Sequence, residues 1–426
     1  MRLWHGTHHV AHVLTTGVRR LSSSVLIAML LVCLLPSRSG AQRPVDWSTR
    51  PVLLLTIGQG DEVFEKFGHN SIAVWDDEAG QPLVYNWGMF DFNQPNFIGR
   101  FLSGDTKYWM APFSLPSTLE QYQQLNRTVV AQELQLTPSQ KVALTALLRR
   151  NALEENKYYR YDYYRDNCST RARDAIDVVT GGALKRAMTQ QPGQGSYRWH
   201  TRRLLAYDGP LYFGSELVLG VDADTPLNGW QEAFLPQKLS ESLMRIELPA
   251  AEGLPVRPLV APIDTLFRAQ REDEPRSVNF RLALAAGVGV GIGMVLLLLT
   301  RLGRVGAAIA LGVWGLVAAV VGCVLLGMWF LTQHVFMANN PTVALLNPIW
   351  LLGVVAGAMV LRSGVSRGVR SALRWLLVIA VVGTAGAVLL GHAGSAIELA
   401  LLVLPAHAAV VAAADRYKSN APRPVR

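Results

Sequence analysis

The sequence has very little cysteine. Only three occur in 426 residues, too few for a disulfide-stabilised scaffold. Cys33 lies in an N-terminal apolar stretch and Cys323 in a long apolar run, so Cys168 alone lies in the polar part of the chain. If that part is exported, an unpaired thiol there is open to oxidation and is a candidate for chemistry. The alternative is a buried, inert cysteine that packs as a small apolar residue.

The polar part of the chain also lacks an excess of positive charge. The formal net charge is +9, yet residues 42–280 hold 25 Lys and Arg against 29 Asp and Glu, a net charge of −4. The other 15 basic residues, against 2 acidic ones, lie in the N-terminal stretch and the apolar C-terminal third. We therefore expect no nucleic-acid partner, and we expect the basic residues to orient the chain in a membrane.

The N-terminal stretch resembles a secretory signal peptide. Arg19 and Arg20 precede a short apolar segment, which ends in the small residues Ser39, Gly40 and Ala41. This pattern predicts a signal peptide over residues 1–41 with cleavage near Ala41. The alternative is an uncleaved membrane anchor.

The C-terminal third contains long apolar runs. Five are long enough to span a bilayer, near residues 282–300, 305–331, 343–361, 373–391 and 396–414. Lys or Arg follows the first, third and fifth runs, whereas segments 332–348 and 392–395 have neither. The positive-inside rule therefore predicts that these two segments lie outside and the C-terminus in the cytoplasm. Residues 42–280 then form an exported domain, and residues 281–426 form a transmembrane domain of five helices.

Strand and helix patterns alternate in the exported domain. Residues 51–57 read as a buried strand, and NSIAVWD and PLVYNWG read as the two strands of a hairpin. Ser117 and Thr137 each precede Glu or Gln by three residues, the spacing of a helix capping box. We expect an α+β domain with a small antiparallel sheet.

Cys168 lies where a helix is predicted to begin. Asp166 or Asn167 is the expected N-cap, which places Cys168 in the first turn. Free backbone amides and the helix dipole stabilise a thiolate there. Small or apolar residues follow at helical spacing, at Ala172, Ala175, Ile176 and Val179.

A nucleophilic thiol needs a base, and the exported domain offers only His69 and His200. His69 precedes an apolar hairpin strand, a rigid position from which an imidazole can meet a helix start. His200 lies among arginines and is expected on the surface. The candidates for a group that orients the imidazole are Asn86, Asn70 and Asp91.

Four segments together resemble a known family. FGHNSIAVW, YNWGMFDFNQPNF, YDYYRDNCSTRARD and TQHVFMANN occur in this order and are similar to segments of the Lnb-type lipoprotein N-acyltransferases. The resemblance implies a cysteine-dependent acyltransferase in which Cys168 is the nucleophile and His69 the base. The order of histidine and cysteine also resembles permuted NlpC/papain-like thiol enzymes, and this implies the fold of the exported domain.

The resemblance implies acyl transfer from a membrane phospholipid to the N-terminal cysteine α-amine of a diacylglyceryl lipoprotein. The enzyme would lie in the bacterial inner membrane with its catalytic domain in the periplasm, and it would need no cofactor or metal. Cys168, His69 and Asn86 are the expected catalytic residues. Substrate contacts are expected from Asn70, Asn167, Ser169, Arg171, His334 and Asn340.

Two other functions fit the same residues. A membrane-tethered peptidase or amidase acting on cell-wall peptide would use the same cysteine and histidine, although one anchor would suffice for it. A non-enzymatic envelope assembly protein would leave Cys168 inert.

Overall fold

The structure is a computed structural model that describes residues 46, 49–278 and 280–419. The predicted signal peptide, residues 1–41, lies outside the described residues. From Asp46 onward the chain forms one compact unit. It consists of a mixed α/β domain followed by five apolar helices that are able to span a membrane.

Eleven strands are formed by the described residues of the mixed α/β domain. They are β1 (Leu53–Ile57), β2 (His69–Asp76), β3 (Gln81–Met89), β4 (Lys107–Ser114), β5 (Val129–Glu133), β6 (Tyr158–Arg160), β7 (Pro192–Ser196), β8 (Pro226–Asn228), β9 (Glu247–Leu248), β10 (Arg257–Pro258) and β11 (Asp264–Phe267). Seven of them form one antiparallel sheet in the order β11-β5-β1-β2-β3-β4-β6. The sheet is larger than predicted because β5, β6 and β11 join it from distant parts of the chain.

The predicted buried strand and hairpin are confirmed. All five residues of β1 are buried, since β1 lies between β2 and β5. Strands β2 and β3 pair from Ser71 opposite Asn86 to Asp76 opposite Gln81. The Asp76 carboxylate accepts the N–H groups of Glu78 and Ala79 and so stabilises the turn.

Nine helices are described in the mixed α/β domain besides short 3₁₀ turns. They are α1 (Phe97–Ser103), α2 (Leu115–Gln124), α3 (Pro138–Ala152), α4 (Cys168–Val179), α5 (Ala183–Thr189), α6 (Tyr197–Leu204), α7 (Gly209–Val218), α8 (Gly229–Glu232) and α9 (Pro236–Leu243). The Thr137 capping box of α3 is confirmed. The predicted Ser117 cap is wrong: Ser114 caps α2 because Pro116 already fits the first turn.

Helix α4 packs against β2 and β3 and carries Cys168 to the sheet. Asn167 is its N-cap, and its side chain accepts the N–H of Thr170 at 2.9 Å. Two residues on the inner face of α4, Ala172 and Ile176, are fully buried in the core, as the helical spacing predicts.

The membrane part continues the chain as α10 (Leu282–Arg301), α11 (Gly303–Leu331), α12 (Thr342–Leu345), α13 (Leu352–Arg362), α14 (Arg367–Ala387) and α15 (Ala393–Arg416). Helices α12 and α13, with a 3₁₀ turn between them, make one span from Thr342 to Arg362, so five spans result.

The two ends of the helical bundle differ as the arginine placement predicts. Segments 332–348 and 392–395, which lack Lys and Arg, lie on the side of the mixed α/β domain. Phe336 O accepts the N–H of Gly220 there, and His392 pairs with Asp224. At the other end, Arg374 pairs with Asp415.

Candidate active site

Cys168 is the first residue of α4 and lies against the sheet. Its side chain is buried, with 7% of the residue exposed. The sulfur faces the backbone N–H groups of Asn70, Ser169 and Cys168 itself. Asn70 directly follows His69 at the start of β2, so the structure brings the strand that carries the predicted base to the predicted nucleophile.

The expectation that the helix start holds Cys168 as a thiolate is wrong. Burial raises the pKa of the Cys168 thiol above its usual value, and the surrounding N–H groups and the Arg127 guanidinium oppose this effect without overcoming it. The helix start acts in the predicted direction, but desolvation of the charge is larger. The resting thiol is therefore protonated at neutral pH.

His69 is oriented by Asn86. The His69 Nε2 atom lies 3.0 Å from the Asn86 side-chain oxygen, while the Asn86 amide group donates to Val84 O at 3.0 Å. Because the amide oxygen only accepts hydrogen bonds, Nε2 carries the proton and Nδ1 is left as the basic atom. Burial lowers the pKa of His69 to about 4, so the ring is neutral at physiological pH.

The other two candidates for the orienting group have different partners. Asn70 donates to Leu55 O and to the Thr56 hydroxyl, and its oxygen faces the Ser169 hydroxyl at 2.9 Å. Asp91 accepts hydrogen bonds from the backbone and the side chain of Asn93. Of the three, Asn86 is therefore the residue that holds His69.

Gly88 and two tyrosines form a wall beside the thiol. Gly88 has φ +86°, and a Cβ at this position would lie 3.3 Å from the Tyr161 ring and 3.9 Å from both the Cys168 Cβ and the Tyr159 hydroxyl. Burial raises the pKa of Tyr159, so this phenol stays protonated. Among the described residues its buried hydroxyl makes no hydrogen bond of standard geometry, although the Gly88 backbone N–H lies close enough to lower its pKa. The sequence interpretation did not single out this donor, which lies two residues before the segment YDYYRDNC.

One known family matches the part of the chain that contains these residues. Residues 41–206 match the model of the Lnb N-terminal periplasmic domain. Residues 41–206 belong to that family. The searches of curated proteins and of solved structures each found no match. The matched segment of the Lnb domain contains His69, Asn86 and Cys168, and with the five apolar helices it makes the chain a multi-pass, membrane-associated protein with a periplasmic domain.

The mixed α/β domain, which we call the Lnb domain, extends beyond the residues that match the family model. Strand β11, Asp264–Phe267, completes the edge of the seven-stranded sheet beside β5. Phe234 O and Ala233 O, from the turn after α8, accept hydrogen bonds from Asn167 and Ser169 at the start of α4. Residues after 206 thus hold the cysteine helix in place.

Three of the expected substrate-binding residues have internal partners in the Lnb domain. Asn167 caps α4, and Ser169 is fully buried and links α4 to Asn70. Arg171 forms a two-pronged ion pair with Asp166, and its guanidinium lies 4.1 Å from the centre of the Tyr159 ring. These contacts give each residue a supporting role, and substrate binding by them stays a prediction.

His334 and Asn340 lie in the loop between the second and third spans. His334 Nε2 lies 2.8 Å from Phe101 O, and Asn340 donates to Leu217 O at 2.7 Å. The Asn340 oxygen also accepts the N–H of Thr342. Both side chains fasten this loop to the Lnb domain, and their predicted contact with substrate is untested.

The prediction that His200 lies on the surface is wrong. His200 is fully buried, and its Nε2 atom lies 2.8 Å from the Glu232 carboxylate. Its arginine neighbours in α6 are buried as well and pair with acids, as Arg202 does with Glu216. Each cation has an acidic partner from a distant segment, so the local run of arginines misled the sequence interpretation.

A buried ion pair near the site was also missed. Arg127 and Glu65 lie 2.8 Å apart, and Arg127 also donates to Gly58 O. Burial sets the direction of both pKa shifts at the site, and the Arg127 charge adds to the lowering at His69 and partly opposes the raising at Cys168. No local pattern joins two residues so far apart in sequence.

A cavity of about 600 Å³ lies elsewhere, beside strand β11. Charged residues dominate its lining, and neither Cys168 nor His69 belongs to it. Within the described part of the chain there is no cluster of three or more His, Cys, Asp or Glu residues that could hold a metal ion.

Proposed function

We propose that this protein moves a fatty acyl chain from a membrane phospholipid to the N-terminal cysteine α-amine of lipoproteins. The reaction passes through a thioester on Cys168. One observation carries the proposal. His69, the first residue of β2, pairs with Asn86, and the next residue of β2, Asn70, directs its N–H at the Cys168 sulfur. In this proposal the nucleophile comes from the start of α4, the base from β2 and the orienting group from β3.

The fold and the location belong to the same proposal. A histidine on a strand before a cysteine at a helix start is the arrangement of a permuted NlpC/papain-like thiol enzyme. Five helices that are able to span a membrane are consistent with the bacterial inner membrane, where phospholipids and newly processed lipoproteins are both anchored.

In the first half-reaction the Cys168 sulfur attacks the acyl carbonyl carbon of the phospholipid. His69 Nδ1 takes the thiol proton during the attack, because the resting pair is neutral thiol and neutral imidazole. The ester C–O bond breaks, and His69 returns the proton to the leaving glycerol oxygen. The products are a lysophospholipid and an acyl-Cys168 thioester.

In the second half-reaction the lipoprotein amine attacks the thioester carbon. His69 takes a proton from the amine, the C–S bond breaks, and the proton restores the Cys168 thiol. In both steps negative charge develops on the carbonyl oxygen. The backbone N–H groups at the start of α4 and the Tyr159 hydroxyl are the donors available to it.

The experiment uses the full-length protein in nanodiscs that contain phospholipid with a radiolabelled acyl chain. We expect a hydroxylamine-sensitive label on Cys168, which a diacylglyceryl lipopeptide discharges into an amide. Cys168→Ser should lose nearly all transfer, and His69→Ala should block both half-reactions. Asn86→Ala should slow transfer by about 10- to 100-fold, a part of what acid–base catalysis contributes.

Cys323→Ala is the matched control, because this cysteine lies exposed on the second span and should leave transfer unchanged. Transfer at the wild-type rate by Cys168→Ala would overturn the proposal. Cysteine-dependent cleavage of cell-wall peptide without an acyl adduct would support the peptidase or amidase alternative. Absence of both reactions in the folded protein would support an assembly protein.

A further inference from the structure

An apolar surface with an unusual number of aromatic rings lies on the Lnb domain. Its exposed members include Phe92, Ile98 and Leu102, which are 64%, 72% and 54% exposed. Large exposed apolar patches on folded proteins mark interaction sites. We call the whole set the aromatic surface; it consists of Phe64, Phe90, Phe92, Phe97, Ile98, Phe101 and Leu102.

Helix α1, Phe97–Ser103, is the core of the aromatic surface and has no buried residue. Four of its seven residues are apolar, and Ile98, Phe101 and Leu102 are exposed. An isolated helix of this length is unstable in water, and most helices are stabilised by burial of an apolar face. The exposed face of α1 therefore requires a cover that the described chain does not supply.

The position of α1 indicates what covers it. Ser103 O accepts the N–H of Gln333 at 2.8 Å, and Phe101 O lies 2.8 Å from His334 Nε2. Both partners follow the end of α11, whose last residues, Phe330 and Leu331, are 68% and 82% exposed. The aromatic surface thus continues the apolar side of a membrane-spanning helix at its outer end. Aromatic residues concentrate at this level in membrane proteins.

The aromatic surface is also connected to the thiol. The Phe92 and Phe90 rings are 5.0 Å apart, Phe90 stacks on Tyr108 at 5.1 Å, and Tyr108 stacks on Tyr161 at 4.6 Å. Tyr161 contacts the position of Gly88 beside Cys168. An unbroken row of rings therefore runs from the membrane end of the domain to the site.

We propose that the aromatic surface inserts into the outer lipid–water interface, and that an acyl chain of a bilayer phospholipid reaches Cys168 along its row of rings. The occupant is lipid because the surface adjoins the outer end of α11 and carries apolar side chains at its exposed positions. Insertion stands on this geometry alone. The path to the thiol rests on the acyltransferase function proposed above.

Insertion is tested by a fluorescent depth probe in the full-length protein. In a background with Cys33→Ala, Cys168→Ala and Cys323→Ala, Ile98→Cys carries an NBD fluorophore in phosphatidylcholine–phosphatidylglycerol nanodiscs. A nitroxide on the lipid chain near the headgroup should remove most of the NBD emission. The matched control is Val142→Cys, which is 71% exposed on α3, a helix that packs against α4 and β4.

Quenching at Ile98 with unchanged emission at Val142 supports insertion. Unquenched emission at Ile98 overturns it and would assign the surface to a protein or peptide partner instead. Equal quenching at both positions also overturns it, because the probe would then report lipid contact of the whole domain.

The path is tested separately with Ile98→Ser combined with Leu102→Ser, two exposed residues of the aromatic surface that lie outside the row of rings. Acylation of Cys168 by bilayer phospholipid should fall about tenfold or more, since two apolar side chains no longer enter the lipid. Acylation by dissolved, monomeric dihexanoyl phosphatidylcholine should stay unchanged. Equal loss with both donors would overturn the path. No acylation of the wild type by either donor would contradict the proposed function and leave the insertion result standing.

Discussion

The protonation states of Cys168 and His69 determine how the proposed reaction would start. Burial raises the pKa of the thiol and lowers the pKa of the imidazole to about 4, so both groups are neutral at physiological pH. A preformed thiolate–imidazolium pair would need the opposite shifts. In the proposed reaction, proton transfer from sulfur to Nδ1 would therefore accompany the attack rather than precede it.

These shifts predict the pH dependence of the first half-reaction. A group with a pKa of about 4 is deprotonated above that pH, so His69 remains a competent base through the range in which an ordinary histidine titrates. The rate of Cys168 acylation should stay level from pH 8 down to about pH 5.5 and fall only as the pH approaches 4. Acylation, rather than overall transfer, is measured because the acceptor amine titrates near pH 8. A midpoint near 6.5 would contradict the assigned state of His69.

Cys168 and His69 could be selected from the sequence as candidate nucleophile and base because each stands out by scarcity. Cys168 is the single cysteine in residues 42–280, and His69 is one of two histidines there. The sign of the thiol pKa shift was predicted wrongly, because the sequence shows the helix start and not the burial of the sulfur. The ion pair between Arg127 and Glu65 could not be predicted, because no sequence pattern relates two residues that come together only in the folded core.

At the scale of elements, strand β3 places both Asn86 and the wall of the site. The register of β3 with β4 shifts between Asn86 and Met89, and Gly88 lies inside this irregularity with φ +86°. Only glycine adopts this conformation without strain, and only glycine leaves room for the Tyr161 ring. One bulge therefore sets the approach of β3 to Cys168.

Substitution of Gly88 tests this role. Gly88→Ala should cost about 1–3 kcal/mol for the positive φ, and it should also lower acylation strongly because the new methyl group lies 3.3 Å from Tyr161. Gly80→Ala is the matched control: Gly80 has φ +62° in the β2–β3 turn, with no atom within 4 Å of its Cβ position. Gly80→Ala should lower the thermal stability by a similar amount and should retain full activity. Equal activity of the two variants would show that the space at Gly88 is unimportant.

Local elements were predicted well where short-range chemistry decides them. The hairpin β2–β3, the Thr137 capping box and the Asn167 cap are each confirmed. The size of the sheet was not predictable, because β11 joins β5 across more than a hundred residues of sequence. Pairing over that separation depends on the packed core rather than on the sequence of either strand.

At the scale of the whole molecule, the membrane part completes the core of the Lnb domain. Phe336, from the loop between the second and third spans, is 2% exposed and packs among rings of the domain. Its ring centre lies 4.8 Å from that of Tyr164 and 4.9 Å from that of Tyr197. The five spans were predictable from apolar runs and their orientation from arginines. The contact of Phe336 with the domain could not be predicted, since TQHVFMANN has the composition of an ordinary uncharged loop.

A further link joins the last span to the domain. Glu398 of α15 is fully buried and accepts hydrogen bonds from the Tyr212 hydroxyl, at 2.9 Å, and from the Arg281 backbone N–H. A carboxylate at the end of a membrane helix is costly unless it is hydrogen-bonded. The Lnb domain supplies the Tyr212 hydroxyl, so its position on the bundle is fixed at two separate places.

The Phe336 contact predicts that the loop supports the active site. Tyr164 precedes the Asn167 cap of α4, so removal of the Phe336 ring leaves a cavity three residues from the helix start that holds Cys168. Phe336→Ala should destabilise the protein by about 3–5 kcal/mol. Amide hydrogen exchange in residues 161–170 should become faster, and acylation of Cys168 should fall with it.

Val335→Ala is the matched control, because Val335 lies in the same loop and is 37% exposed. It should leave both measurements close to those of the wild type, since a partly exposed side chain leaves little cavity behind. If Phe336→Ala lowered acylation without faster exchange in residues 161–170, the ring would act on substrate directly. If neither measurement changed, the membrane loop would be a tether, and the Lnb domain would hold Cys168 in place without it.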